Sequence, residues 1–191
     1  MTAFLLATVA LAAGWASPAL AAPIPGQPAP SAMSLDPVQL AAAASPNVWI
    51  KNQYSGACLD VPGWSQSPIQ IDQWGCVRQA NEYWDFVWVG NYGSAGAYQI
   101  VNKHSHLCLN VQGNSHAENA AIIQWHCGDY ANEQFQLLNH SGKYQLVPVS
   151  SLLYGRAMCL DLDSTSHAWG VKIVQWHCYN TSTQLWTLWS V

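Results

Sequence analysis

The sequence predicts an all-β domain made of three copies of a unit of about 50 residues, with twelve short strands in pseudo-threefold arrangement around one core. Three observations carry this. The segment Gln70-Ile71-Asp72-Gln73-Trp74-Gly75-Cys76 returns as Ile122-Ile123-Gln124-Trp125-His126-Cys127 and as Ile173-Val174-Gln175-Trp176-His177-Cys178, with the cysteines 51 residues apart. A second cysteine heads each unit, in Cys58-Leu59-Asp60, Cys108-Leu109-Asn110 and Cys159-Leu160-Asp161. Between these fixed points, short Val, Ile, Leu, Tyr and Trp clusters are separated by Gly, Pro, Asn and Ser, and no stretch holds a helical period. A unit of this size cannot bury its apolar face alone, so the three must share a core.

Taken in order, residues 1–21 look like an export signal: residues 3–13 are almost wholly apolar, and Ala19-Leu20-Ala21 offers a small-x-small cleavage site. The segment lacks the usual positive charge at Met1-Thr2, and its apolar core falls short of the ~20 residues of a spanning helix. Residues 22–46, rich in Ala, Pro and Ser, read as a spacer, with a turn or two of uncapped helix at most between Pro37 and Ala44. The folded domain is expected over residues 47–191. Its strands fall at Val48–Asn52, Cys58–Val61, Ile69–Trp74 and Trp84–Trp88 in unit one, and at Tyr98–Asn102, Cys108–Gln112, Ile122–Trp125 and Phe135–Leu138 in unit two. Unit three supplies Tyr144–Pro148, Cys159–Asp161, Lys172–Trp176 and Trp186–Trp189.

Only 8% of residues are charged, the formal net charge is −4, and the six Lys and Arg are scattered, which argues against nucleic acid as a partner. The eleven Trp are a surplus suited both to a core and to exposed recognition surfaces. Six cysteines in an exported chain should be oxidised. The repeat selects one pairing among the ~15 possible: Cys58–Cys76, Cys108–Cys127 and Cys159–Cys178. Each closed loop contributes on the order of 3 kcal/mol in the chain-entropy account. Zinc would want closely spaced Cys or His pairs, which the sequence lacks, and no metal or cofactor is expected.

The threefold Cys-Leu-Asp … Gln-Trp-x-Cys … Asn-x-x-Trp pattern resembles the ricin B-type lectin family, also described as the family 13 carbohydrate-binding modules. The resemblance covers residues 47–191. It implies a β-trefoil: six strands in a closed barrel and six in hairpins that cap it. The family's closing Gln-x-Trp stands here as Gln184-Leu185-Trp186, and in altered form as Glu82-Tyr83-Trp84 and Glu133-Gln134-Phe135, so Trp84, Phe135 and Trp186 are expected in the core.

The resemblance also implies a shallow sugar pocket in each unit. The acid of Cys-Leu-Asp accepts from two neighbouring hydroxyls, the aromatic two before the second cysteine stacks on the sugar, and an Asn late in the unit adds a polar contact. A carboxylate has about four lone-pair sites, and such charge-assisted bonds are strong. Unit one is the most complete, with Asp60, Trp74 and Asn81, and with Asp72 where better-known plant toxins of the family carry Gln. Unit three follows, with Asp161 and Trp176 but Thr183 in the Asn position, and Tyr179 nearby to compensate. Unit two has Trp125 and Asn132, but Asn110 replaces the acid. Trp64 and Trp169, in the loops between acid and stacking Trp, are candidate extra walls for sites one and three respectively. Gln73, Gln124 and Gln175 alternate to the other side of their strands and read as structural, and His126 and His177 read as rim residues.

The leading expectation is a secreted, extracellular module that binds glycans or polysaccharides of galactose or xylose type, without catalysis and without membrane insertion. A protein–protein module, such as the binding subunit of a toxin or enzyme complex, is the alternative, because trefoils host such roles. A glycoside hydrolase ranks last. Asp60 with Asp72 is the one candidate carboxylate pair inside a pocket, Asp60 sits at a repeated position, and no nucleophile-elbow or zincin motif is present.

Overall fold

Val48, Ile50 and Asn52 are buried while Trp49 and Lys51 are half-exposed, the period-2 burial of a strand with one face on a core. The same logic repeats through residues 47–190, which the computed structural model describes. The expected leader, spacer and short helix before residue 47 lie outside the described residues. Six strands form a closed ring: β1 (Val48–Asn52), β5 (Trp84–Tyr92), β6 (Ala95–Asn102), β9 (Gln134–His140), β10 (Lys143–Pro148) and β13 (Trp186–Ser190). Each pairs antiparallel with the next, and β13 returns to β1, so this barrel leaves no open edge. Each unit contributes two of these strands, so the barrel is a threefold product of the repeat.

The cap is built from β2 (Cys58–Asp60), β3 (Ile69–Gln70), β4 (Asp72–Trp74), β7 (Cys108–Val111), β8 (Ala120–Trp125), β11 (Met158–Leu162) and β12 (Ile173–His177). The fold is a β-trefoil, as expected, but the strand expected over Ile69–Trp74 is broken in two, giving thirteen among the described residues. The break is a change of partner at Ile71. Ile69 and Gln70 pair with β8 of unit two, whereas Asp72 to Trp74 pair with β2 of their own unit. The exchange runs around the cap: Ala120 and Ala121 pair with Gln175 and Val174 of unit three, and Lys172 of unit three bridges to Asp72 of unit one.

Trp84, Phe135 and Trp186 are fully buried at the centre of one apolar cluster with Ile50, Leu59, Ile71, Ile100, Leu109, Ile122, Leu146 and Leu160. The indole N–H groups of Trp84 and Trp186 donate to Leu59 O at 3.0 Å and Leu160 O at 3.3 Å, tying barrel to cap. The three disulfides are Cys58–Cys76, Cys108–Cys127 and Cys159–Cys178, one per unit.

Gln73, Gln124 and Gln175, one residue out of phase with Trp74, Trp125 and Trp176, are fully buried. Each side-chain amide donates to two carbonyls of the neighbouring unit's loop: Gln73 to Ser166 and Ala168, Gln124 to Ser65 and Ser67, Gln175 to Ser115 and Ala117. Their expected structural role is what the fold shows. Gln124→Ala takes the amide donor from both carbonyls, of which Ser67 O keeps the Ser65 hydroxyl as a donor, and removes the acceptor for Ser105 Oγ, bonded at 2.7 Å. The expected loss is about 1–3 kcal/mol, read as a lower unfolding midpoint; an unchanged midpoint would mean that these ties do not hold the units together.

Unit three departs from the pattern. Asn52 and Asn102 accept from backbone N–H groups of the turns that follow β1 and β6. Pro148 stands at the corresponding end of β10 and has no such acceptor. The chain instead forms α1 (Val149–Leu153), and Ser151 Oγ accepts from Met158 N at 3.2 Å. A helix was not expected here, because five residues carry no legible helical period.

Candidate functional site

Strand register builds the same small constellation three times. Asp60 pairs with Asp72, Asn110 with Ile123 and Asp161 with Val174. Two residues further along the second strand, and therefore on the same face, stand Trp74, Trp125 and Trp176. An acid or amide and an indole thus share one wall in every unit. A tight turn with Gly63 at φ +62° in unit one and Gly113 at φ +62° in unit two leads the chain back over that wall.

In unit one the cleft has a volume of ≈ 320 Å³ and is lined by Asp60, Asp72, Trp74 and Asn81, with Trp64 and Gln79. Asn81 Nδ2 donates to Asp60 Oδ1 at 2.6 Å and to Val61 O at 3.2 Å, which fixes the carboxylate. Lys172 Nζ, from unit three, donates to Asp72 Oδ2 at 2.9 Å. Asp72 Oδ1 and Asn81 Oδ1 are buried and have no protein donor. Burial, with the Asp72 and Glu82 carboxylates adding to it, pushes the Asp60 carboxyl up to about 7, against the Lys172 ammonium, which lowers it. Burial also raises Asp72, opposed by the hydrogen bond and charge of Lys172.

Trp64 walls this cleft, as the sequence suggested, and does so at φ +55°. The equivalent Asn114 in unit two has φ +51°, a conformation Asn tolerates and a bulky residue rarely adopts. His104 Nε2 lies 3.0 Å from Trp64 O, and the two rings meet edge to face at 4.9 Å.

Unit three encloses ≈ 330 Å³ between Asp161, Trp176, Tyr179, Thr183 and the loop residues Asp163 to Thr165. Thr183 makes no bond to Asp161; Gln184 Nε2 holds Asp161 Oδ2 at 2.8 Å instead. Tyr179 lines the cleft and is 65% exposed. Unit two is the roomiest, at ≈ 440 Å³, and Trp125 is 46% exposed against 41% for Trp74, while Trp176 is half-buried. Its chemistry differs: Asn132 Nδ2 donates to Asn110 Oδ1 at 3.0 Å, so that acceptor is engaged inside the protein. Tyr130, 65% exposed, forms a wall that the sequence did not single out.

Every expected site residue therefore reaches one of the three clefts: Asp60, Asp72, Trp74 and Asn81 in the first; Asn110, Trp125 and Asn132 in the second; Asp161, Trp176 and Tyr179 in the third. Trp169 is a correction. It lies not at site three but against Trp74 of unit one, with ring centroids 4.9 Å apart. Lys172 and Gln184 were missed as site-shaping residues; the signal for Gln184 was the absence of Asn at Thr183. His126 is exposed, whereas His177 is engaged with Arg156 and with Glu118. Among the described residues no group of three or more His, Cys, Asp or Glu is gathered as for a metal ion, and no helix is long and apolar enough to cross a membrane.

A family model described as a ricin-type beta-trefoil lectin domain-like matches residues 39–125 and again 80–176. The two matches end at Trp125 and Trp176, equivalent positions of successive units. No curated protein sequence matches significantly. Among solved structures, the designed threefold-symmetric protein ThreeFoil is 25% identical with a TM-score of 0.68, covering 75% of this chain and 98% of its own. The exo-beta-1,3-galactanase 1,3Gal43A from Clostridium thermocellum is 24% identical with a TM-score of 0.69, over 78% of this chain but only 31% of the galactanase. A Macrolepiota procera ricin B-like lectin in complex with lactose is 16% identical with a TM-score of 0.60, over 76% of this chain and 96% of that one. The galactanase and the Macrolepiota lectin, at these identities, speak to fold alone.

Proposed function

The chain belongs to the ricin-type β-trefoil lectin-like family, and from that premise we propose that it is a secreted, non-catalytic module that binds glycans through shallow clefts. The observation that carries the reading is the unit-one cleft, where a carboxylate held by Asn81 shares a wall with the exposed face of Trp74. Asp60 is the acceptor for a pair of vicinal hydroxyls, and Trp74 takes the apolar C–H face of the same pyranose. Unit three repeats the arrangement with Asp161 and Trp176. Unit two, whose Asn110 oxygen is occupied, is the weakest of the three for a neutral sugar despite its size.

Such clefts expose a bound monosaccharide to water, and each is expected to bind with a Kd near 1 mM, or ~4 kcal/mol. Two or three of them on one rigid body raise avidity for a polymer by ~10²–10⁴. Galactose-type or xylose-type glycans are the proposed ligands. The disulfide in each unit fits an oxidising, extracellular setting, and residues 1–21 are proposed as the leader.

Binding fits the carboxylates better than hydrolysis does. Asp60 and Asp72 sit side by side on paired strands, and Asp72 is tied to Lys172, whereas hydrolysis needs carboxyls on either side of the scissile bond. A protein-partner reading has one observation in its favour, the exposed run Val87, Trp88 and Val89 on β5.

The test is a glycan array and insoluble-polysaccharide pull-down, run beside an Asp60→Ala, Asp161→Ala double variant. Binding by the wild type that the variant loses supports the assignment and names the sugar. Binding that survives moves the site elsewhere, and no binding to any glycan makes the protein-partner reading the leading one.

A further inference from the structure

The three units differ most where one unit's loop meets the next unit's Gln-Trp-x-Cys segment. The loop residue that follows the second carbonyl held by the buried Gln is Trp169, Pro68 or Glu118. Trp169 approaches Gly75, the residue at x in unit one, and Glu118 approaches His177, the residue at x in unit three. Glu118 and His177 lie 3.3 Å apart, so the loop-to-x contact at Gly75 has a counterpart in unit three. At unit one the contact is of another kind. A Cβ on Gly75 would stand 3.0 Å from Trp169 Cζ2, so the absence of a side chain there is what lets the Trp169 indole settle on Trp74.

The pair does not bury itself. Trp74 is 41% and Trp169 60% exposed, with their planes tilted by 40°. Trp169 stands outside the walls of the Asp60 cleft, so apolar indole surface continues from that cleft, past Trp74, onto unit three. Its position is fixed from both sides: Ala168 O accepts from Gln73 Nε2 at 2.7 Å, and Gly170 N donates to Gln73 O at 2.8 Å. An indole held this way loses little conformational freedom when a ligand arrives. A large exposed aromatic surface held by bonds to Gln73, beside a cleft walled by Asp60 and Asp72, suits an occupant that is apolar on one face and polar at its edges.

We propose that Trp169 is a second stacking subsite, so that site one takes a glycan chain of two or more pyranose residues, the first in the Asp60 cleft and the next on Trp169. The proposal rests on the reading of that cleft as a sugar site and adds what it selects: a chain over a free monosaccharide. The site is composite, because unit one supplies the acid and first indole while unit three supplies the second indole.

The experiment is calorimetric titration of the Asp161→Ala protein, in which site one dominates, with galactose and β-1,3-galactotriose and with xylose and xylotriose. The trisaccharide of the binding series is expected to bind more tightly than its monosaccharide. Trp169→Ala removes that advantage, about three- to tenfold, and leaves monosaccharide affinity unchanged. Gly75→His, which displaces Trp169 without deleting it, gives the same result and guards against a folding effect of the first variant. A trisaccharide-to-monosaccharide ratio unaltered in both variants overturns the subsite while leaving the Asp60 site intact. No binding of either series to the parent protein, or binding that survives Asp60→Ala, overturns the sugar-site reading and the subsite with it.

Discussion

Trp84→Ala is expected to cost about 3–5 kcal/mol, the range for deleting a buried large aromatic. The ring is fully buried, and its N–H group is bonded to Leu59 O at 3.0 Å, so the substitution opens a cavity and also strands a carbonyl. Domains are stable by only about 5–15 kcal/mol, so one residue out of the threefold core consumes much of the total. Unit two supplies the internal control, because Phe135 fills the same place without an N–H group. Trp84→Phe should therefore keep most of the packing and lose about 1–3 kcal/mol, chiefly for the orphaned carbonyl. Guanidinium unfolding followed by far-ultraviolet circular dichroism, with the disulfides intact, separates the two variants. If Trp84→Ala loses less than about 2 kcal/mol, the closing aromatics do not organise the core in the way burial indicates.

What the sequence made legible divides along a physical line. Residues whose role is repeated in every unit could be placed, because the 51-residue period supplies three readings of each position. The disulfides, the buried closing aromatics and the inward-turned glutamines all came from that redundancy. What escaped is where units touch. The break at Ile71 reflects a change of pairing partner, which local strand propensity does not encode. Trp169 lies in the loop of unit three, and the side-chain and backbone bonds of Gln73 to that loop carry it to unit one. Its signal was present as Gly75, the one missing side chain in an otherwise repeated Gln-Trp-His-Cys, but a gap points to a neighbour without naming it. Lys172 escaped similarly: its partner Asp72 stands 100 residues away in sequence and adjacent in the cap.

Binding at site one should rise with pH. The Asp60 carboxyl lies at about 7, first because it is buried and then because Asp72 on the paired strand and Glu82 on the following turn are carboxylates. Lys172, across from unit three, offsets this in part. Sugar hydroxyls donate to the charged form, so binding favours deprotonation, and affinity should fall about tenfold per pH unit below the Asp60 value. At pH 5 about 1% of the carboxylate would be charged, and affinity at this site should drop on the order of 100-fold relative to pH 8. Asp60→Asn is expected to bind weakly at every pH and to abolish the slope. Stability should move the opposite way. A carboxyl raised in the folded state binds its proton more tightly there than in the unfolded chain, so stability declines as pH rises from the ordinary Asp value of 3.8 to about 7. Asp60→Asn removes that penalty and should stabilise the protein at pH 8 but not below pH 4. Under the proposed function, the acid that weakens the fold at neutral pH would also be the one that holds the ligand, a trade-off between stability and binding. Calorimetric affinities and unfolding midpoints at pH 5, 6, 7 and 8 for the two proteins test both slopes. Flat affinity in the wild type would show that the ligand does not bond to Asp60.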